Sequence, residues 1–306
     1  HMLGWLPGAE GIPAGLTYPD KTGKRVAPAR WADFQGCGHP DPDHSVAGGR
    51  AEYNNGACDG WLRAGQNDAY AISYYSEADL PFFGAAAREW TVCDHYFSAH
   101  MGPTVPNRFF IHAGQTDRAD NTTTLATLPT IWERLAEKGL TARYYISAGG
   151  NILSYWGTKY QAITATFPSF LSACASGTLP SVSYVDPDYL KNSDHPHQDM
   201  RDGESFLNTV YQAVTQSPAW SSTVLVITFD EWGGFFDHVP PPTGPVTDAM
   251  RAAGITDGLR GFRVPTLVIS PFARRHHVAT AVYDHTSVLK LIEWRWELAP
   301  LTERDA

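Results

Sequence analysis

The run Val224–Phe229, six β-branched or apolar residues in succession, ends in two adjacent carboxylates, Asp230 and Glu231. An unbroken run of this kind reads as a strand buried on both faces, as in the middle of a parallel sheet. Gly233-Gly234 breaks it and Pro240-Pro241-Pro242 stiffens the exit. In open α/β sheets, ligands collect beyond the carboxyl ends of the strands. Two hard oxygen donors at such an end, followed by His238, point to part of a metal site. A pair of acids in a surface turn after a core strand is the bland alternative. The stretch alone leaves both open.

Around that run, helical and strand signals alternate. Residues 79–90 read as a helix with Asp79 at the N-cap and Pro81 in its first turn. Thr91–Phe97 reads as a strand, and His100–Arg108 as a turn into a second helix capped by Thr104. Thr130–Lys138 is a helix closed by Gly139, and Thr141–Ser147 returns as a strand. Residues 148–180 carry one short helical signal at Pro168–Ala175, and Ser181–Asp186 is a further strand. Phe206, Leu207, Val210, Tyr211 and Val214 have helical spacing within Glu204–Ser217. Val264–Ser270 is another buried strand, and Thr286–Leu298 a final helix. Strands alternating with helices predict an α/β protein with a doubly wound, mostly parallel sheet and helices on both faces. No repeat or low-complexity linker interrupts residues 1–306, so a single domain is the simplest expectation.

Residues 1–65 have almost no periodicity, yet they crowd together His39, Asp41, Asp43, His44, Asn54, Asn55 and Asp59. Loops this long inside a compact domain tend to be functional, although a plain polar loop is the commoner case. The loop after Ser181–Asp186 holds a second polar group: Asp188, Asp194, His195 and His197. Thr104, placed among free N–H donors at a helix N-terminus, suits an anion such as phosphate or an alkoxide. An ordinary capping threonine fits the same spacing.

Charge and composition remove whole classes of function. The net charge is −9 with no Lys/Arg-rich run, which argues against nucleic-acid binding through a basic face. No apolar window is long enough to predict a transmembrane segment. The four cysteines, Cys37, Cys58, Cys93 and Cys174, fit no zinc-ribbon or CxxC spacing. A Cys37–Cys58 bridge and four free thiols both remain open. Nothing in the sequence bears on the oligomeric state.

Several segments together carry a resemblance. They are DPDHS (41–45), YNNGACDGW (53–61), ADLPFFGAAAREWTVCDHYFSAHMGPTVPNR (78–108), TIWERLAEKG (130–139) and YVDPD (184–188). DHPHQDMRDGE (194–204), TFDEWGGFFDHVPPP (228–242), GFRVPTLVISPFAR (261–274) and YDHTSVLKLIEWRW (283–296) complete the set. In this order the chain resembles the bacterial phosphoesterase family of non-specific phospholipases C and acid phosphatases, within the alkaline-phosphatase-like superfamily. The resemblance implies an alkaline-phosphatase-like fold and a metal-dependent phosphoric ester hydrolase. Thr104 matches the nucleophile, and Asp230 and Glu231 match ligands of one divalent metal ion. His44 and His195 match active-site histidines that contact the phosphate or the leaving group. His238 and His285 belong to matched motifs, and His238 is expected on the substrate. Asn107, beside the nucleophile turn, is expected to position a phosphate oxygen.

The implied chemistry is cleavage of a phosphodiester through a covalent phosphothreonine. The alternatives are an acid phosphatase acting on monoesters, or a catalytically impaired homologue that binds phosphorylated ligands. Threonine as nucleophile leans toward the phospholipase C branch, and the expected partner is a small phosphorylated or phospholipid substrate. Relatives are commonly exported, which implies a secreted or periplasmic location. In the family, a first strand ends in a Glu-Asn pair that also binds the metal; no Glu-Asn dipeptide occurs among these 306 residues. The chain is therefore expected to lack that strand and a C-terminal portion, to hold metal weakly, and to show little activity.

Overall fold

The computed structural model describes residues 1–148 and 150–306. A four-stranded sheet has the order His277–Asp284, Thr91–Phe97, Leu267–Ile269, Leu225–Ile227. Its first two strands are parallel, and Leu267–Ile269 runs antiparallel to both of its neighbours. A second, all-parallel sheet orders Thr164–Thr166, Ala142–Ile146 and Val182–Val185.

The period-2 alternation of strand side chains explains the layering. Val92, Ile227, Leu267 and Ile269 face Phe83 and Ala87 of helix Pro81–Glu89, with Leu207 and Tyr211 of helix Met200–Thr215. Cys93 and Val268 face the other way, toward Val288 of helix His285–Trp296. In the second sheet Tyr144 joins Phe109, Trp132 and Leu289, whereas Tyr145 joins Phe170, Val210 and Val214. Helices thus cover both faces, as expected of an α/β protein.

Most expected elements are present, with ends moved by a few residues. Two caps differ. Asp79 does not cap helix Pro81–Glu89; its carboxylate is taken by Arg30 and by Ser76, whose N–H donates at 2.7 Å. The helix N-terminus is held instead by Glu204, which accepts from Phe82 N at 2.7 Å. A carboxylate is favoured there by the unpaired N–H groups and the helix dipole, whichever segment supplies it. Pro103, not Thr104, is the N-cap of helix Thr104–Ala113, and Asn121 Oδ1 accepts from Val105 N at 2.8 Å.

Several elements had no expectation, among them helix Val46–Tyr53 within the supposed long loop, strand Thr164–Thr166 and helix Asp248–Ala252. Strand His277–Asp284 is another, and being half exposed its sequence carries no buried-strand pattern. All four cysteines are free, so no Cys37–Cys58 bridge forms. Among the described residues, no helix is long and apolar enough to cross a membrane.

Candidate active site

Asp230 and Glu231 follow strand Leu225–Ile227 at its carboxyl end. Gly233 and Gly234 then adopt left-handed φ values of +63° and +70°, which side-chain-bearing residues resist. The turn they form is closed by Gly233 N donating to Glu231 Oε2 at 2.6 Å. A Cβ on Gly234 would fall 2.6 Å from the Pro42 backbone, so glycine is what lets residues 41–45 lie against this turn.

That approach delivers His44. Its Nδ1–H donates to the Pro42 carbonyl at 2.8 Å, which leaves Nε2 4.0 Å from Glu231 Oε1. Asp41 Oδ1 is 3.8 Å from His44 Nδ1. His195, exposed on its loop, sits edge-on to His44 with ring centroids 5.4 Å apart. Ligating atoms of Asp41, His44 and His195 all lie within 4.8 Å of one another. The His195 Nδ1–H donates to Pro196 O at 2.6 Å, so its Nε2 faces outward.

The electrostatics couple these groups. Burial pushes the Glu231 carboxyl up to about 7; Asp230 adds to the rise and His44 opposes it. Burial works against a charged His44, but Glu231, the Pro42 carbonyl, Asp41 and Asp230 together raise its pKa. Acid and imidazole therefore compete for a proton near neutral pH, the state wanted of a proton-transfer pair.

Thr104 is half-buried and opens helix Thr104–Ala113. The turn before it is clamped by Asn107. Asn107 Oδ1 accepts from His100 N at 2.9 Å, while Nδ2 donates to the carbonyls of His100, Gly102 and Pro103. The expectation that Asn107 positions a phosphate oxygen is thus corrected. Its amide is fully buried and engaged with backbone, because the tight turn leaves those carbonyls without helical partners.

Helix Val46–Tyr53 ties the turn before Thr104 to the acidic turn. A Cβ on Gly49 would stand 2.7 Å from the Met101 side chain and 3.0 Å from the Trp232 ring. Arg108 lies one helical turn after Thr104 and forms a buried ion pair with Asp186. The charge of Asp230 also acts on Arg108, which places the guanidinium within electrostatic reach of the acidic turn. His285 Nε2–H donates to the Asp230 carbonyl at 2.7 Å and so holds the backbone of that turn.

His238 does not join this set. Its Nδ1 is 3.6 Å from Asp237, which is paired with Arg263, and its ligating atoms gather with those of His1 and Asp237. The chain beyond the glycine turn leads Phe236 inward against Tyr18, and His238 follows it into that neighbourhood. The expected contact of His238 with substrate is therefore corrected to a place among Asp237, Arg263 and His1.

The Phosphoesterase family matches residues 1–299 of the chain. The chain belongs to this family. Among its relatives, Phospholipase C A of Mycobacterium tuberculosis (strain ATCC 25618 / H37Rv) is 31% identical over 97% of this chain and 66% of that protein. Phospholipase C B of the same strain is 33% identical over 96% of this chain and 66% of that protein. Non-specific phospholipase C3 of Arabidopsis thaliana is 28% identical over 100% of this chain and 68% of its own length. The chain thus spans about two thirds of these relatives, and the family reaches beyond bacteria. Among solved structures, a protein in the alkaline phosphatase superfamily from Vibrio parahaemolyticus aligns at a TM-score of 0.43 and 12% identity. That alignment covers 70% of this chain and 60% of the other. So distant a likeness supports no transfer of chemistry.

Within this phosphoesterase, sequence reasoning missed Glu52, Arg108 and Asp186. Glu52 carries no local signal at all. Arg108 stands four residues after Thr104, so helical spacing alone would have placed the two on one face.

Proposed function

We propose that this phosphoesterase cleaves phosphodiesters in the manner of a phospholipase C, with Thr104 as nucleophile. The observation that carries the reading is the convergence of His44 and His195 on the acidic strand end, with Glu231 4.0 Å from His44. Curated relatives named as phospholipases C favour the diester over the monoester.

Thr104 Oγ gives its proton to His44, attacks phosphorus and forms a P–O bond while the bond to the departing alcohol breaks. Its place at a helix N-terminus favours the oxyanion form of the nucleophile. His195, whose Nδ1 is engaged with Pro196 O, supplies the proton to the departing alcohol through Nε2, and His44, held by the Pro42 carbonyl, returns its proton to Thr104 in the second step. Water then attacks the phosphothreonine and releases Thr104. Before each attack, the pair Glu231–His44 stands ready at neutral pH because burial has raised the one and neighbouring carboxylates the other.

The residues fit a divalent cation. Glu231 is buried beside Asp230, and among the described residues neither carboxylate has a lysine or arginine ion pair. A divalent ion held by Asp230 and Glu231 would supply Lewis-acid polarisation of a phosphoryl oxygen. Two carboxylates are few for a hard cation, so weak retention is the expectation.

Parallel assays with p-nitrophenylphosphorylcholine and p-nitrophenyl phosphate, with and without added divalent ions, test the proposal. Metal-stimulated turnover of the diester, lost in Thr104→Ala, is the expected result. Preferential turnover of the monoester would reassign the protein as a phosphatase, and phosphate binding without turnover of either ester would mark it as a binding homologue. Full activity in Thr104→Ala would remove the nucleophile assignment.

A further inference from the structure

We infer that Arg108 is a phosphoryl-oxygen clamp of this site, and that Asp186, Tyr144 and Tyr189 hold its guanidinium in place for that task. The inference rests on the proposed phosphoester chemistry and adds to it a residue that the sequence reading did not assign.

The first observation is an incomplete set of hydrogen bonds. Arg108 Nη2 donates to Asp186 Oδ2 and, at 3.3 Å, to Tyr144 OH. Its Nε is buried and has no partner, and among the described residues Nη1 has none either. Buried donors are almost always satisfied, because leaving one without an acceptor forfeits its hydration. Arg263 shows the usual pattern: its Nε, Nη1 and Nη2 all donate, to Asp237, Asp94 and the Glu10 carbonyl. Arg304 has a buried, unpartnered Nε as Arg108 does, yet it donates through both terminal nitrogens. Among these three buried arginines, Arg108 is the one whose Nη1 also lacks a partner.

The second observation is where those donors lie. In a helix the Cα–Cβ bond tilts toward the N-terminus, so a long side chain covers the turn before its own Cα. For Arg108 that turn begins at Thr104. From below, the arginine is closed off by His112, the next residue on the same face, which is wholly buried against Trp132 and Tyr184. Burial and the nearby Arg108 charge lower the His112 pKa to about 3, so the floor is neutral.

The third observation is the rigidity of the committed edge. Asp186 Oδ2 accepts from Arg108, from Tyr144 OH, and from Tyr189 OH at 2.8 Å. The Tyr189 ring also lies 5.1 Å from the guanidinium carbon. Sharing one carboxylate oxygen among three donors fixes the arginine while leaving part of its charge unneutralised. Nη1 keeps its N–H donors without a partner among the described residues, a charge-assisted match for a non-bridging phosphoryl oxygen, and the ligand class that follows is a tetrahedral or trigonal-bipyramidal oxyanion.

The test uses orthovanadate and inorganic phosphate as probes, with inhibition of diester hydrolysis and calorimetric binding as readouts. In Arg108→Met we expect kcat to fall on the order of 100-fold with KM within about 3-fold, and vanadate inhibition to weaken by a similar factor. Arg108→Lys, which keeps the charge, should recover roughly a tenth of the lost affinity because its ammonium cannot both pair with Asp186 and reach the oxyanion. Asp186→Asn should lower kcat less than Arg108→Met does, since the donor remains but is no longer fixed. Should Arg108→Met not fold, Arg108→Lys decides the matter, with its circular dichroism and Tm as checks. Vanadate and phosphate binding equal to the parent protein in either folded Arg108 variant overturns the inference. Calorimetry in a Thr104→Ala background reads Arg108 independently: activity surviving Thr104→Ala defeats the proposed mechanism, whereas unchanged oxyanion binding on loss of Arg108 defeats only the clamp.

Discussion

Trp232 Nε1 donates a 3.0 Å hydrogen bond to Glu52 Oε2, joining the residue after Glu231 to the helix that follows His44. The other oxygen of Glu52 accepts from Asn67 Nδ2 at 3.1 Å. Burial raises this carboxyl well above the usual carboxylate range, and the two donors only partly oppose the rise. Glu52 thus places both of its oxygens as acceptors and braces the two halves of the site. Glu52→Gln keeps one acceptor oxygen and turns an amide nitrogen toward the other donor. It should cost about 1–3 kcal/mol in urea unfolding, and Glu52→Ala more, since both donors are then stranded. Gln equal to the parent would show that the carboxyl is not accepting at both oxygens.

Asn107 is expected to act through the turn it clamps. Asn107→Ala frees three carbonyls and the His100 N–H, so kcat should fall with little change in KM, alongside a loss of about 2–4 kcal/mol in stability. Asn107→Asp should be worse than Ala, because an anionic oxygen would then face the carbonyls of His100, Gly102 and Pro103. A rise in KM with kcat intact would return Asn107 to the substrate.

Acid should loosen the junction between helix His285–Trp296 and the chain end. Asp284 accepts from Arg260 Nε at 2.5 Å and Arg304 Nη2 at 3.0 Å, and it caps the helix through Thr286 N. Burial alone would raise its pKa, but Arg304 and Arg260 bring it down to about 2. The folded value lies below the unfolded one, so its stabilisation is present above pH 4 and is lost as pH falls through 2. The amount is about 2 kcal/mol. Asp284→Asn should lower Tm at neutral pH and flatten its fall over that window; an unchanged acid limb would remove Asp284 from the account.

Asp194 should behave in the opposite sense. Its Oδ1 is buried without a partner, and burial together with Glu204 pushes the carboxyl up to about 8. A raised folded pKa means stability present at low pH and lost as pH rises toward 8. Asn is isosteric and tolerates the left-handed φ of +63° at this position. Asp194→Asn should thus raise Tm at pH 8 and leave it nearly unchanged at pH 4. Equal shifts at both pH values would show that the carboxyl does not titrate in this range.

The sequence by itself determined the parts of this protein that are written locally. Val224–Phe229 announces a strand ending in two acids, and the spacing of residues 204–217 announces a helix. The strand expected inside a parallel sheet nevertheless lies at the sheet's edge, antiparallel to Leu267–Ile269 and only partly buried. The segment 100–108 places Thr104 where a helix begins, and the ordered motifs carry the family. Local pattern, however, reports that a residue is buried or turned, not what it meets. Asn107, from its place beside the turn, and His238, from its motif, are both expected on the substrate; the fold turns the first onto its own backbone and the second toward Asp237. Strand His277–Asp284 is half exposed and exists by pairing with Thr91–Phe97, a partner its sequence does not name. The contacts of His44 with Glu231, Glu52 with Trp232 and Arg108 with Asp186 join segments far apart in the chain. Such contacts leave no periodic trace, because chain closure and packing, rather than the preferences of neighbouring residues, decide which buried groups share a hydrogen bond.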